Sequence, residues 1–329
     1  MAYQGRKPEF PKPYDFVPFA DRVDKQYRTG HEAYQEGGLS GQFDYVLRAE
    51  SFLHVSSGSY ALTEDLGIET KNVIRDLYRV YHEGEQKPAI PGSSIKGAVR
   101  SIVEAVTESC IGSTRVFRRD LPKDLARTCS PPWLCPACAI FGAMNRMSRV
   151  GFNDAVFLDG RTGVYFVPPL FGPRPRQGRK YKDRSRKFIG RKFYFHGKPA
   201  RHQDGQPIEV LAVGSRLESS LTFTGLTESE LGLLLYGLGL SEAFQPALGA
   251  GKPLAMGRVS IIPGALRFFH GDSFTAYDDS QQIIDGEQLQ DSIERYIGAA
   301  EPHILAEQRK ILEEILDPEN EREAPTGTY

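Results

Sequence analysis

The segment at residues 91–97 (PGSSIKG) constrains the fold most, because it opens a helix whose buried face can be read from the sequence. The apolar residues that follow recur at helical spacing and predict a helix over residues 94–108 with one buried side: Ile95, Val99, Ile102, Val103 and Val106. Ser93, Ser94, Lys96 and Arg100 lie off that stripe. Exposed N–H groups at a helix start, with hydroxyls and cations beside them, suit phosphate oxygens. A hydroxyl-capped turn without a ligand is the alternative.

The remaining elements predict an α+β fold. Alternating residues 42–55 read as a strand, residues 149–157 as a second and residues 215–224 as a third. Thr227 and Glu230 have capping-box spacing before a second helix, and residues 259–263 read as a last strand. This order is that of a ferredoxin-like β-α-β-β-α-β unit.

A glycine-rich loop precedes the last strand and repeats the chemistry of the first motif. Gly249 and Gly251 allow close backbone approach, and Lys252 and Arg258 add positive charge. These four residues are therefore predicted phosphate contacts. The alternative is a plain connection between two elements.

All four cysteines of the chain lie within one short segment, with the spacing C-x18-C-x5-C-x2-C: Cys110, Cys129, Cys135 and Cys138. Four thiolates would form a closed tetrahedral site without an open position, so the spacing predicts a structural Zn²⁺. In the alternative, Cys110 is a buried apolar residue and His82 or a water supplies the fourth ligand. The zinc-binding insertion is predicted to span residues 110–142.

The formal net charge of −1 hides two charged regions. Residues 174–201 hold twelve Lys/Arg against Asp183 alone, interleaved with aromatic residues, within a predicted basic insertion at residues 158–214. This mixture suits phosphate neutralisation and base stacking, as in an RNA-facing hairpin, and residues 190–196, which include Arg191 and Lys192, read as a short strand. A solvated loop is the alternative. Residues 271–329 form an acidic extension with a helix predicted at residues 304–316, which packs on this domain or on a neighbouring subunit.

The ends of the chain and its apolar runs indicate the expected cellular location. Residues 1–41 lack a period and are predicted to form an irregular arm. The longest apolar run, residues 231–240, is too short to cross a bilayer, and no signal peptide is recognisable at the start. We therefore expect a cytoplasmic protein without a membrane partner.

Four motifs carry a resemblance to a known family: IPGSSIKGAVR at residues 90–100, CPACAIFG at 135–142 followed by RVGFNDA, GRKFYFH at 190–196 and LGAGKPLAMGRV at 248–259. The chain resembles a backbone subunit of the RAMP superfamily (repeat-associated mysterious proteins) in a type III CRISPR effector complex. The resemblance implies a modified RNA-recognition-motif fold over residues 42–270 and a thumb-like basic hairpin. It also implies three kinds of partner, namely CRISPR RNA, target RNA and sibling subunits.

The resemblance also implies a site for cleavage of target RNA. Catalytic members use an acidic residue between the first strand and the PGSS helix, with Mg²⁺ or another divalent metal. Asp65 and Glu69 are the candidates here, and an exposed amphipathic helix is the alternative for this stretch. Whether the chain is an enzyme stays open. A non-catalytic end-cap of the same complex is one alternative function. A guide-processing endoribonuclease with His54 as general base is the other.

Overall fold

The computed structural model describes residues 11–28, 37–62, 73–112, 117–168, 181–200, 205–269 and 282–326. Over these ranges the strands are β1 Tyr14–Pro18, β2 Gln26–Tyr27, β3 Leu39–Ala49, β4 Ser56–Ala61, β5 Ile74–Leu77, β6 Arg79–His82, β7 Glu85–Ile90, β8 Trp133–Leu134, β9 Val150–Phe152, β10 Ala155–Asp159, β11 Thr162–Val167, β12 Gly190–Tyr194, β13 Gln206–Leu211, β14 Arg216–Leu226, β15 Val259–Phe268 and β16 Gln282–Ile284. The α-helices are α1 Gly92–Val106, α2 Pro136–Phe141, α3 Glu228–Gly237, α4 Gly286–Ala300 and α5 Ala306–Ile315. The mixed α+β class is confirmed.

The core is an eight-stranded antiparallel sheet in the order β16-β15-β3-β14-β10-β7-β6, with β9 also paired to β14. Its centre is β3, where alternate side chains are buried. The buried set is the one that the alternation predicted: Phe43, Tyr45, Leu47 and Ala49. The chain leaves β3, passes through α1 to β9 and β10, returns along β14, and passes through α3 to β15.

The helix starts are satisfied in two different ways. In α3 the predicted capping box is present, because Thr227 Oγ1 accepts from the Glu230 N–H at 3.2 Å and the Glu230 carboxylate accepts from the Thr227 N–H at 3.0 Å. In α1 the cap comes from outside the helix, because Asp154 Oδ1 accepts from the Gly92 N–H at 2.8 Å. Asp154, in the loop between β9 and β10, thus accepts a hydrogen bond from one of the free N–H groups at the start of α1.

The C-terminal extension packs on this chain. Helix α4 lies against α3, and α5 lies against α1 and β1. Apolar residues of α4 recur at helical spacing and join the main core: Leu289, Ile293, Tyr296 and Ala300. Of the two locations open for the helix at residues 304–316, the structure supports packing on its own domain. Helix α4 was not predicted.

The predicted arm and the basic insertion meet in one small sheet. Strand β12 lies where the sequence predicted a short strand, but its partner is β1 from the arm, which was predicted to be irregular. Within the insertion, β11 and β13 pair with each other and extend a four-stranded sheet with β5 and β4. Strands β1 and β12 lie about 180 residues apart in sequence, so short-range patterns could not reveal their pairing. No described helix is long and apolar enough to cross a membrane.

Candidate nucleic-acid interface and metal centre

Three of the sequence motifs converge on one open groove with a volume of about 580 Å³. Helix α1 contributes Ser94, strand β12 contributes Lys192 and Tyr194, and the glycine-rich loop contributes Gly249 and Lys252. We call this surface the groove. These segments are distant in sequence, so only the folded sheet and its helix layer bring them together.

The start of α1 offers hydroxyls to the groove more than free N–H groups. Ser93 and Ser94 are exposed, and Ser94 lines the groove. The Gly92 N–H is already bound by Asp154. Lys96 is directed to the sheet instead, where its Nζ donates to the Val150 carbonyl at 3.1 Å and burial lowers its pKa.

Lys192 is the cation that β12 presents to the groove. Its Nζ lies 4.1 Å from the ring centre of Tyr14 and 4.6 Å from that of Tyr194. Burial, and then the charge of Lys12, lower the pKa of Lys192 to about 8. Among the described residues, no carboxylate lies within ion-pair distance of this ammonium group.

The aromatic surroundings of Lys192 were only partly predicted. Tyr181 and Tyr194 belong to the basic, aromatic run, whereas Lys12 and Tyr14 belong to the arm that was predicted to be irregular. Lys12 Nζ donates to the Tyr14 hydroxyl at 2.8 Å, and the hydroxyls of Tyr14 and Tyr181 lie 2.7 Å apart. The alternation of Tyr14 and Phe16 was the available signal for a strand there.

The glycine-rich loop depends on backbone conformations that favour glycine. Gly249 and Gly251 have φ of +72° and +76°, and a Cβ at residue 249 would lie 2.3 Å from the His54 carbonyl oxygen. The Nζ of Lys252 is partly buried and donates to the Gly249 carbonyl at 2.8 Å, and burial lowers its pKa. The loop therefore brings backbone and one ammonium group to the edge of the groove.

Three predicted RNA-contacting arginines make internal contacts instead. Arg100 donates to Glu104 Oε1 at 2.7 Å, and Arg191 pairs with the other oxygen of that carboxylate. Arg258 donates to the carbonyls of Glu50 and Pro318 at 3.2 and 2.5 Å. None of these arginines lines the groove, because each has acceptors from its own chain.

The four cysteines form one buried cluster. Their Sγ atoms all lie within 4.8 Å of one another, and those of Cys129, Cys135 and Cys138 lie 3.8, 3.8 and 3.6 Å from Cys110 Sγ. A tetrahedral Zn²⁺ with bonds of about 2.3 Å would set sulfur–sulfur distances of roughly 3.8 Å. The donor set therefore fits a closed, all-thiolate metal site. Cys110 belongs to the cluster, and His82 lies elsewhere, 3.9 Å from Glu218.

Hydrogen bonds to sulfur support the cluster. The Cys135 N–H donates to Cys129 Sγ at 3.3 Å, and Arg100 Nη2 donates to Cys138 Sγ at 3.8 Å. Donors of this kind orient metal-binding sulfurs and offset their negative charge. This role of Arg100 was missed in the sequence, which shows only its place on the outer side of α1.

The candidate catalytic acids Asp65 and Glu69 lie outside the described residues. His54, the candidate general base, is 2% exposed, and its Nδ1 lies 2.7 Å from the Glu209 carbonyl oxygen. Burial lowers the pKa of His54. A side chain so enclosed is poorly suited to accept a proton from RNA in the groove.

Comparisons with known proteins bear on the family of this chain. Among solved structures, the chain is similar to a chain of the Csm3–Csm4 subcomplex in the type III-A CRISPR-Cas interference complex, with 15% identity and a TM-score of 0.39 over 79% of this chain and 96% of that one. The comparison with curated proteins found no match. The RAMP superfamily model matches residues 46–260, which run from within β3 into β15. Since that match covers well over half of the sequence, the chain belongs to the RAMP superfamily.

Proposed function

We propose that the chain is an RNA-binding backbone subunit of a type III CRISPR effector complex and that CRISPR RNA follows the groove. One observation carries the proposal: Ser94, Lys192, Gly249 and Lys252, from three separate motifs, line the same open surface in a RAMP-superfamily chain. Sibling subunits and target RNA are the further partners that we infer. The cytoplasm is the compartment that suits such a complex.

The sheet order supports a ferredoxin-like core of the modified RNA-recognition-motif type. Its four central strands stand in the order β15-β3-β14-β10, and α1 and α3 make the two crossovers. A β-α-β-β-α-β unit has this arrangement. We propose residues 42–270 as the domain, with the zinc-binding segment at 110–142 and the basic, thumb-like segment at 158–214 as insertions.

The chemistry of the groove supports contacts to the RNA backbone over contacts to bases. An ammonium group, a serine hydroxyl and glycine backbone are groups that bind phosphate or sugar oxygens. Such contacts hold RNA of any sequence, as a subunit that accepts many guides requires. Tyr194, beside Lys192, adds an aromatic surface that suits base stacking without sequence preference.

We infer that the cysteine cluster holds a structural Zn²⁺. When bound, the ion would supply a covalent-like cross-link between the end of α1 and helix α2, and no chemistry of RNA cleavage is routed through it. The four thiols are buried and none of them lines the groove, so we infer that the ion stabilises the fold of the insertion.

Binding to labelled RNA of mixed sequence tests the proposal. Lys192→Met should weaken binding to unrelated RNA sequences by a similar factor and make the slope of log affinity against log salt concentration shallower by about 0.7. Lys198→Met is the matched control, because Lys198 is exposed and already pairs with Glu321 at 3.1 Å. RNA affinity that is equal in the wild type and Lys192→Met at every salt concentration would contradict the proposal that RNA binds in the groove.

Isolation of the subunit from its native host tests the larger assignment. Repeat-derived guide RNA and sibling subunits should accompany the tagged protein. Recovery of uncut repeat precursors alone would favour a guide-processing enzyme. Recovery of guide RNA, with target binding but no cutting in the assembled complex, would favour the end-cap function.

A further inference from the structure

A buried series of charged side chains joins the cysteine cluster to the strand that lines the groove. Arg100 donates to Cys138 Sγ at 3.8 Å through Nη2 and to Glu104 Oε1 at 2.7 Å through Nε. The second oxygen of Glu104 accepts from Arg191 Nη2. Arg191 lies next to Lys192 in β12, so Arg100 and Glu104 connect Cys138 to the neighbour of the groove cation.

The centre of this series is Glu104, a carboxylate between two guanidinium groups. Its side chain is 3% exposed, whereas those of Arg100 and Arg191 are 20% and 15% exposed. Charge-assisted hydrogen bonds away from water are strong and directional. Loss of the carboxylate would leave two partly buried cations facing each other, so Glu104 keeps both arginines in place.

The metal-binding segment closes around Arg100 from two sides. Arg100 Nη1 donates at 3.2 Å to the carbonyl of Gly142, the residue that ends helix α2, on which Cys138 lies. A Cβ at Gly112, two residues after Cys110, would lie 2.4 Å from Arg100 Nη2. Any change in how the four sulfurs are drawn together therefore moves the groups that hold Arg100.

The other end of the series determines where Lys192 lies. Adjacent residues of a strand point to opposite faces, so Arg191 reaches Glu104 while Lys192 reaches the groove. The pairing of Arg191 with Glu104 ties β12, which also pairs with β1, to helix α1. The position of the Lys192 ammonium then follows from the backbone that both residues share.

We propose that Glu104 is a positioning residue that couples metal binding at the cysteine cluster to RNA binding in the groove. Metal that draws the four sulfurs together holds Arg100, Glu104 and Arg191 in line and thereby holds Lys192 toward the RNA. This inference rests on the proposed RNA binding. Thermodynamic linkage requires that RNA raise the affinity for metal by the same factor by which metal raises the affinity for RNA.

The test measures the affinity for Zn²⁺ by competition with a chromophoric chelator, with and without saturating single-stranded RNA of mixed sequence. In the wild type we expect RNA to tighten Zn²⁺ binding about fivefold or more. In Glu104→Gln, and separately in Arg191→Gln, the effect of RNA should fall below about twofold while each folded variant still binds one Zn²⁺ per chain. The second variant keeps the test decisive if the first does not fold.

Glu108→Gln is the matched control, since it is the same substitution four residues further along the chain, just past the end of α1. Glu108 pairs with Arg22 at 2.8 Å on the surface and touches neither the cluster nor β12. It should keep the full effect of RNA on Zn²⁺ affinity. If Glu104 had only a structural role, its substitution would destabilise the fold without removing the effect of RNA on Zn²⁺ affinity.

Two outcomes would overturn this inference alone, and a third would overturn the proposed function as well. RNA that binds the wild type without changing its Zn²⁺ affinity would overturn the coupling and leave the proposed function standing. Retention of the full wild-type effect in both variants would overturn the coupling role of Glu104 in the same way. Wild-type protein that binds no RNA, seen directly by fluorescence anisotropy of the labelled RNA, would overturn the proposed function as well.

Discussion

Gly232→Ala tests whether the C-terminal extension is part of the folded domain. Gly232 lies in α3 where this helix crosses α4, and a Cβ there would be 1.9 Å from the Tyr296 carbonyl oxygen and 3.0 Å from the Ala300 Cβ. Ordinary contacts of these atoms exceed 3.4 Å. The obstacle is helix backbone, which cannot rotate aside as a side chain does, so the two helices must move apart by more than 1 Å.

The expected size of the effect follows from two opposing contributions. Forcing an extra carbon into a well-packed contact costs about 1–3 kcal/mol and sometimes more. Alanine is favoured over glycine in a helix by about 1 kcal/mol, which offsets part of that cost. Because the clash involves backbone, we expect the upper end of the range, a net loss of about 2 kcal/mol in the free energy of unfolding.

Urea denaturation followed by circular dichroism measures this loss, and Gly298→Ala in α4 is the control. Gly298 is exposed, and a Cβ there would meet nothing within 4 Å. That variant should be more stable than the wild type by up to about 1 kcal/mol. Equal stabilisation by both substitutions would refute the packing of α4 on α3 and return the extension to a role outside this domain.

Three further variants test the sites themselves. The double variant Cys135→Ser/Cys138→Ser should lose bound zinc by elemental analysis, and unchanged zinc content would contradict the metal site. RNA affinity should fall as the pH rises through about 8, because burial and Lys12 lower the pKa of Lys192 to about 8 and only its protonated form attracts phosphate. Lys192→Arg should weaken this dependence, and a flat wild-type profile would contradict it. If the assembled complex cuts target RNA at this subunit, Asp65→Asn/Glu69→Gln should abolish the cutting with target binding preserved, and persistent cutting would exclude both acids.

Local patterns predicted much of the hydrophobic core and the cysteine cluster. The apolar stripe of α1, the capping box of α3 and the alternation of β3 are set by neighbours within about four residues, and each element overlaps its predicted range. Strand β3 ends at Ala49 and α1 at Val106, earlier than the predicted ends at residues 55 and 108. The cysteine spacing succeeded for a similar reason, since Cys135 and Cys138 flank one helical turn. Helix α4 had the same kind of signal, with Leu289, Ile293 and Tyr296 at helical spacing, and was missed.

The predicted arginine contacts illustrate what a sequence does not reveal about charge. A run of cations shows how many positive groups exist but not which of them already have acceptors. Glu104 was the available clue, because it interrupts the apolar run of α1 (Val103, Ala105 and Val106) and a buried carboxylate requires a partner. Arg100 and Arg191 are those partners, and one of them comes from a strand 87 residues away.

The internal use of these arginines limits how strongly one subunit can attract RNA. The described lining of the groove includes two lysines, Lys192 and Lys252. Each phosphate neutralised on single-stranded RNA contributes about −0.7 to the slope of log affinity against log salt concentration, so one copy should show a slope between roughly −0.7 and −1.4. Filter binding of the isolated subunit across salt concentrations measures this slope.

A much steeper value would assign further contacts to residues 169–180, which hold several cations and lie outside the described part of the chain. A shallow value would mean that firm attachment to a guide requires several subunits along one RNA, because the free energy then accumulates over repeated weak sites.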